Sequence, residues 1–441
     1  MVWVLGFFAL LLIAGLLERG RITGFGEYLL AGRRQSAGVV GFSLMASCIG
    51  GSATVGVVGM AYTAGLPAWW WLGSGALGLI VLGCFLARKL RALEANTLPD
   101  LAGALLGQRS RIAVALVIAP AWIGITAAQF VTIAKILHPM LGVDQTAILA
   151  ACALTVTAYA AMGGQISVLK TDVWQFLFLS AALIATAAYL YATHPVWPTR
   201  AQLTLVNAHF PPGRLLYFLV IMGGSYVVCP MLFSRLFTAR SPQTARRATL
   251  GSAIGLALMS LVIAAIGLWA AQVLPGVADP DKVLTGAVAG LLPTPLRVLL
   301  VLGLLAAVTS SADSCLITVG SIVEHDLLRR RRVKGIRFHV LLCGLLSAFL
   351  AWGRPDIIGL LLQATTIFTC GVVAPVAVAL LAWPRWTVHP AWGTAAVVLG
   401  GSMGVWSCAS GQDLAALAGV LASGLLTLVG TLRGQRRSTA A

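Results

Sequence analysis

Long apolar segments without charged side chains follow one another along this sequence, and they restrict the chain to folds that are stable in a lipid bilayer. About 17 to 25 such residues are enough for one helix to cross the hydrocarbon core. Hydrocarbon offers no partners to backbone polar groups, so only helices and closed barrels span it. None of the segments alternates as a barrel strand does. We therefore predict an all-α integral membrane protein with about thirteen transmembrane helices. They are placed at 2–17, 39–64, 68–87, 112–138, 145–162, 170–193, 212–238, 249–273, 296–323, 336–353, 356–382, 391–408 and 413–432.

The composition argues against a water-soluble domain. Apolar residues make up 59% of the chain and charged residues only 10%, whereas soluble domains usually carry about 25% charged residues. No positive charge precedes the first segment and no small-residue cleavage site follows it, so we expect a retained helix rather than a signal peptide.

The positive charges predict the orientation. With the N-terminus outside, 24 of the 30 lysine and arginine residues fall on one side, which the positive-inside rule makes cytoplasmic together with the C-terminus. This set includes Arg21, Arg235, Arg436 and Arg437, whereas Arg354 falls on the other side. Because the net charge of +17 is dispersed over membrane connections, we expect no nucleic-acid partner. The run 329–332 is expected to contact anionic lipid.

Motifs of enzymes and redox centres are missing from the sequence. The eight cysteines never form a C-x-x-C pair, which favours packing roles over disulfides or metal binding. The sequence also lacks a glycine-rich phosphate loop and a His-Glu metal motif. We expect neither enzymatic activity nor an organic cofactor.

Two carboxylates lie where a bilayer disfavours them. Of thirteen acidic residues, all but Asp172 and Asp313 fall in connections or at the ends of spans. A charge at mid-bilayer costs about 2.5 to 3.5 kcal/mol on insertion scales, so it normally faces a cavity, a partner or an ion. Both residues are therefore candidates for a functional site.

Asp313 belongs to a group of oxygen-bearing side chains in the ninth span. Ala307, Ser310, Ser311 and Ser314 recur at i, i+3, i+4 and i+7, which places them on one helix face. Hydroxyl and carboxylate oxygens suit a hard cation such as sodium. Serines also pack helices together and bond to their own turn, which is the usual explanation for a single serine. Four hydroxyls and one carboxylate within 309–314 favour an ion site.

Two spans carry matched helix interruptions. Gly50-Gly51-Ser52 lies in the second span, and Gly223-Gly224-Ser225 followed by Pro230 lies in the seventh. Paired interruptions of this kind indicate a midplane site in transporters built from inverted repeats; alternatively, each pair only permits close packing. The spacing predicts a single transmembrane domain over 1–441. It would comprise a leading helix and loop (1–38), two repeats (39–193 and 212–382) and two trailing helices (391–432).

Four segments resemble the sodium/solute symporter family, whose members share a LeuT-like five-plus-five fold. The similar segments are Phe25 to Arg33, Tyr159 to Gln175, Pro230 with Ser234-Arg235, and Ala306 to Ser314 with Asp326-Leu327. The resemblance covers nearly the whole chain. Each motif alone is weak, but the four occur in the family's order on the corresponding helices.

The resemblance implies a sodium site formed by the broken second helix and the ninth helix. Its members would be Ala46, Ile49, Ala307, Ser310 and Ser311. Some family members hold a further cation, which here would involve Asp172, Ser310, Asp313 and Ser314. This chain has Asp313 where a hydroxyl is expected. The extra carboxylate either strengthens a second cation site or provides a titratable group for proton coupling.

The solute is less well defined by the sequence. The expected lining is Gly50, Gly51, Ser52, Ala53, Trp70, Gln129, Met222, Tyr226 and Pro230. This lining is small and mostly apolar, and the free N–H groups of a broken helix suit a carboxylate. An amino acid or monocarboxylate is therefore favoured over a sugar. Trp70 could equally belong to an interfacial aromatic belt.

We expect a multi-pass protein of a bacterial-type plasma or inner membrane that imports its solute with sodium by alternating access. Its partners would be the small-molecule solute, sodium and the lipid bilayer. One alternative is a proton-coupled permease in which Asp172 and Asp313 are the coupling groups. Another is a membrane sensor, which the nine residues after 432 do not favour because they are too few for an output module.

Overall fold

The computed structural model describes residues 2–19, 24–200, 202–353 and 357–434. Within these ranges every regular element is a helix, and the β-type backbone pairing is limited to two isolated bridges. The predicted all-α fold is confirmed. Four arginines used in the charge count lie outside the described residues, namely Arg21, Arg354, Arg436 and Arg437.

The helices that form the fold are numbered α1 to α13 in chain order. They are α1 (Val2–Arg19), α2 (Ala37–Cys48), α3 (Ser52–Ala64), α4 (Leu66–Ala92), α5 (Gln108–Leu141), α6 (Gln145–Thr193), α7 (Pro212–Thr238), α8 (Pro242–Val273), α9 (Thr294–Leu327), α10 (Val333–Gly353), α11 (Ile358–Ala382), α12 (Pro390–Ser410) and α13 (Asp413–Leu432). Shorter helical segments lie in the connections, among them Phe25–Leu30, Leu98–Leu106 and the stretch 283–291.

Among the described residues, ten helices are long and apolar enough to cross a membrane, and the bent pair α2–α3 raises the number to eleven. Helix α6 has 49 residues and contains two predicted spans. Its backbone leaves helical geometry at Gly164, where φ is 59° and ψ is −168°. Helix α12 coincides with the twelfth predicted span but is not among the ten helices that meet the length and hydropathy requirement. The figure of thirteen crossings stays a prediction.

The break between α2 and α3 occurs at the predicted glycines, and the two segments are bent by 66°. A β-carbon on Gly50 would lie 2.7 Å from the Ser311 hydroxyl and 2.8 Å from the Gln129 side-chain oxygen. A β-carbon on Gly51 would overlap Thr132. Both positions require glycine because α5 and α9 approach the backbone closely here.

The break in α7 lies later than the sequence indicated. Gly223–Val227 is helical, and the extended residues are Val228 and Cys229, immediately before Pro230. Proline lacks an N–H and disfavours helical geometry in the preceding residue, so Pro230 rather than the glycine pair ends this segment. Gly223 instead allows close packing, since a β-carbon there would lie 2.9 Å from the Ser74 carbonyl oxygen of α4.

Helix α9 is the central element of the fold. In its most apolar stretch 94% of the residues are buried, compared with 22% in α1 and 28% in α13. It packs mainly against α6 and α5, while α12 and α13 pack against each other and against α11. The polar face predicted on α9 is therefore enclosed by protein.

Candidate functional site

The residues predicted to bind sodium meet where α2 ends. The Ser310 hydroxyl donates to the carbonyl oxygens of Ala46 at 3.2 Å and Ala307 at 2.9 Å. The Ser311 hydroxyl donates to the Ser47 carbonyl at 3.3 Å. Because α2 ends at Cys48, some carbonyl oxygens of its last turn accept no hydrogen bond from within the helix. They are therefore available to groups on α9.

Ile49, the remaining predicted ligand, lies at the break, where its backbone is neither helical nor extended, with φ of −103° and ψ of 75°. The predicted ligands are all buried, with exposures between 0% and 3%. They offer three carbonyl and two hydroxyl oxygens, a donor set suited to a hard monovalent cation. The arrangement can hold a partly dehydrated sodium ion.

A second cluster lies beside this site and is built around Arg235. The guanidinium donates to the Ser43 hydroxyl at 2.9 Å, to the Met231 carbonyl at 3.1 Å and to the Asp172 carboxylate at 3.1 Å. It also donates to the Ser314 hydroxyl, and Ser43 donates to Asp172. Arg235 and Asp172 are completely buried. From the sequence, Arg235 is expected with the cytoplasmic connections. This expectation is wrong, because the structure places Arg235 in α7 with its side chain buried among other helices.

The residues proposed for a second cation belong to this cluster. The Ser314 hydroxyl lies 3.1 Å from the Asp313 carboxylate and donates to the Ser310 carbonyl at 2.5 Å. One oxygen of Asp172 and one of Asp313 are buried without a hydrogen-bond partner among the described residues. Two carboxylates face one guanidinium, so the ionised cluster carries one excess negative charge. A further cation or a proton would balance it.

A cavity of about 90 Å³ opens beside the helix break. Since one water needs about 10 to 15 Å³ by the same measure, the space suits a small solute. Five predicted residues line it: Gly50, Ser52, Gln129, Met222 and Tyr226. Ser311 also lines it, so the same residue borders the cavity and the sodium site. No charged side chain belongs to this lining within the described part of the chain.

Four other predicted lining residues lie elsewhere. Gly51 packs behind the break and donates its N–H to Gln129 at 2.8 Å, and Ala53 is buried away from the cavity. Pro230 lines a separate small cavity together with Ser234. Trp70 donates its indole N–H to the Leu205 carbonyl at 3.1 Å, outside the cavity.

Aromatic side chains missing from the predicted lining form much of the wall. Trp71 lines the cavity in place of Trp70, since successive residues of a helix point about 100° apart around its axis and Trp71 is the one on the inward face. Trp122 and Phe368 pack edge to face with ring centres 4.9 Å apart. Trp122 follows Pro120 in α5, and its i+7 spacing to Gln129 could have indicated a shared face.

Charged side chains cluster at the end of the protein that the arginine distribution predicts to be cytoplasmic. Arg111 lies 2.8 Å from Asp326 and 3.3 Å from Asp100, and His325 lies 3.7 Å from Asp100. Burial raises the pKa of Asp100, but the adjacent His325 ring, hydrogen bonds from Asn96 and the charge of Arg111 outweigh it and lower the pKa to about 2. This group joins the connection before α5 and the start of α5 to the end of α9.

Solved transporter structures share this architecture. A Na⁺-coupled sialic acid symporter in a substrate-bound outward-open state aligns with a TM-score of 0.82 at 16% identity, covering 99% of this chain and 98% of that one. Mhp1, a nucleobase-cation-symport-1 family transporter, aligns with a TM-score of 0.66 at 15% identity, covering 92% and 94%. The fold is that of the LeuT-like cation-coupled transporters, as the sequence predicted.

The Sodium:solute symporter family model matches residues 28–397, and the chain belongs to this family. The protein is thus a member of a transporter family and not of an enzyme family, as expected. The sodium/pantothenate symporter of Haemophilus influenzae is 26% identical over 325 residues, covering 68% of this chain and 66% of that protein. The sodium/proline symporter of Staphylococcus aureus is 24% identical over 387 residues, covering 80% and 75%.

Proposed function

We propose that this protein is a sodium-coupled symporter that carries a small amino acid or monocarboxylate across the cell membrane by alternating access. The observation that carries the proposal is the contact of Ser310 and Ser311 on α9 with the carbonyls of Ala46 and Ser47 across the break. A sodium ion among these oxygens would hold the end of α2 against α9. Family membership supports sodium as the coupling ion.

Ser311 gives a physical reason for coupling. It borders both the proposed sodium site and the cavity, and a β-carbon on Gly50 would contact it. Sodium binding would therefore fix one wall of the solute pocket. A ligand can shift a conformational equilibrium only by its differential affinity for the two states. Sodium that binds the closed arrangement of α2 and α9 would favour the state that also binds solute.

The uncharged lining supports the solute class. A solute with several unpaired charges would lose its hydration without compensation. A zwitterion is neutral overall, and the single charge of a monocarboxylate can be balanced by the adjacent sodium ion. A sugar would need many hydrogen-bonding partners, whereas the walls are dominated by aromatic, aliphatic and sulfur-containing side chains.

The excess negative charge at Asp172, Asp313 and Arg235 supports a second coupling cation, either sodium or a proton.

The proposed function is tested with the purified protein in liposomes, by measuring uptake of radiolabelled proline, alanine, lactate and pantothenate. An imposed sodium gradient at equal pH should drive uptake of one of these solutes. Uptake driven only by a proton gradient, with no response to sodium, would replace the proposal with a proton-coupled permease.

A further inference from the structure

Trp122 of α5 combines burial with an unused polar group. Its side chain lines the cavity, is 3% exposed and packs edge to face against Phe368. Its indole nitrogen is buried and has no acceptor among the described residues. A buried donor without a partner is unfavourable, so native proteins usually supply one.

Other tryptophans of this chain follow that rule. The indole N–H of Trp69 donates to the Ala257 carbonyl at 3.2 Å, that of Trp70 to Leu205 at 3.1 Å and that of Trp269 to His194 at 3.0 Å. These three groups hold helices or connections together. The Trp122 indole instead forms part of the wall of a cavity that can admit a ligand, and its N–H has no acceptor among the described residues.

The position of Trp122 relative to the sodium site defines two ends of the cavity. Trp122, Ile125 and Gln129 line it from the same face of α5. Trp122 and Gln129 are seven residues apart, about 10 Å along the helix. Gln129 lies at the end near Gly50 and Ser311, because a β-carbon on Gly50 would contact both side chains. Trp122 therefore lies at the end away from the sodium ligands.

Most of the other lining residues are apolar. They include Ile125, Met222 and Leu361, and Phe368 flanks the indole. An elongated solute would place its carboxylate toward the sodium end, where the cation offsets the negative charge. Its body would contact the apolar wall, and an oxygen at its other end would accept from the indole N–H.

We propose that Trp122 is a solute-binding residue that selects carboxylates bearing a second acceptor oxygen, such as a keto or hydroxyl group, at the end remote from the carboxylate. This inference rests on the proposed function, since it assumes that the solute shares the cavity with sodium. Tryptophan N–H is a donor only. Solutes that present an ammonium or a methyl group at that end would leave it unpaired.

The experiment measures sodium-dependent binding of two matched pairs of acids to the purified protein: 4-oxopentanoate with pentanoate, and 5-oxohexanoate with hexanoate. At least one oxo acid should bind wild-type protein about threefold to tenfold more tightly than its partner, as expected for one neutral hydrogen bond. The Trp122→Phe variant keeps the ring but loses the donor, so the preference should disappear. Trp269→Phe, which removes a structural indole hydrogen bond, should keep it.

Stabilisation by sodium alone checks the folding of each variant and separates the two proposals. If Trp122→Phe is stabilised by sodium like wild type but keeps the oxo-acid preference, the role of Trp122 is refuted. If neither pair shows a preference in wild type, or no acid binds with sodium present, the selected solute class is refuted. Absence of sodium stabilisation in wild type would instead contradict the proposed function.

Discussion

Arg235 and Asp172 form an ion pair 3.1 Å long in which neither side chain has any exposure to solvent. The pair joins the second half of α7 to α6, and the same guanidinium bonds to Ser43 of α2 and Ser314 of α9. A buried charge is tolerated only with good partners, and removal of one partner leaves the other uncompensated. The ion pair therefore makes a specific prediction about stability.

Replacing Arg235 by Gln should reduce the free energy of unfolding by about 3 to 5 kcal/mol, because Asp172 loses its counter-charge in a buried site. Thermal unfolding of the detergent-solubilised protein, read as a melting temperature, measures the loss. Arg240→Gln changes an exposed arginine five residues later and serves as the control. The double variant Arg235→Gln with Asp172→Asn should recover part of the loss. Equal melting temperatures for Arg235→Gln and wild type would show that the pair does not stabilise the fold.

Ser310→Ala and Ser311→Ala should each raise the sodium concentration needed for half-maximal uptake by at least tenfold, because each removes one proposed oxygen ligand. Sodium titrations of uptake in liposomes provide the measurement. Ser347→Ala is the matched control, since Ser347 is also buried and donates to a carbonyl of another helix, Ile123, at 3.1 Å. Unchanged sodium dependence in both site variants would contradict the assignment.

Gly51→Ala should abolish uptake and destabilise the protein by about 1 to 3 kcal/mol through overpacking, because the added carbon overlaps Thr132. Gly251→Ala in α8 adds a carbon where no atom lies within 4 Å, and it should leave stability unchanged or slightly improved. Melting temperatures and uptake of the two variants compare the effects directly. Equal behaviour of the two variants would mean that α5 can move away from the break at little cost.

Trp71→Leu should alter solute affinity far more than Trp70→Leu. Trp71 lines both the central cavity and a larger outer one, which places it between them, whereas Trp70 lies outside both. Concentration dependence of uptake for the two variants checks this expectation. A larger effect at Trp70 would favour the lining expected from the sequence.

Asp100 should contribute stability that depends on pH in a defined direction. Its pKa is lowered to about 2 in the folded protein, compared with about 3.9 for an unperturbed aspartate. Its contribution is present above pH 4 and is lost as the pH falls from about 4 towards 2. Asp100→Asn should therefore lower the melting temperature at pH 7, with a difference from wild type that shrinks below pH 4. A constant difference between Asp100→Asn and wild type across this pH range would exclude the charge effect.

Helical spacing and glycine pairs in the sequence predicted the cation-site serines and the break in the second span. Ser310 and Ser311 follow from helical spacing, and the break at Gly50 follows from a glycine pair inside an apolar span. The break in α7 could not be placed from Gly223 and Gly224, since packing against α4 rather than chain flexibility explains a glycine there.

Tertiary contacts determine where Arg235, Trp70 and Trp71 lie, and local sequence patterns do not reveal those contacts. Arg235 lies three residues from the end of a predicted span, where a positive charge is usually assigned to the adjacent connection. Only the folded chain shows that the Arg235 guanidinium donates hydrogen bonds to Asp172 and Ser314. The choice between Trp70 and Trp71 depends on how α4 is rotated about its axis, which hydropathy does not detect.

The hydrogen bond from the Gly51 N–H to the Gln129 side chain has a mechanical consequence. It attaches the start of α3 to α5, while α2 is held to α9 mainly through Ser310 and Ser311. The two halves of the broken helix are thus held by different partners, and α2 is also bonded to α6 and α7 through Ser43. A sodium ion at the proposed site would add contacts only between α2 and α9, so we expect the last turn of α2 to separate from α9 when the ion leaves, while α3 stays bonded to α5.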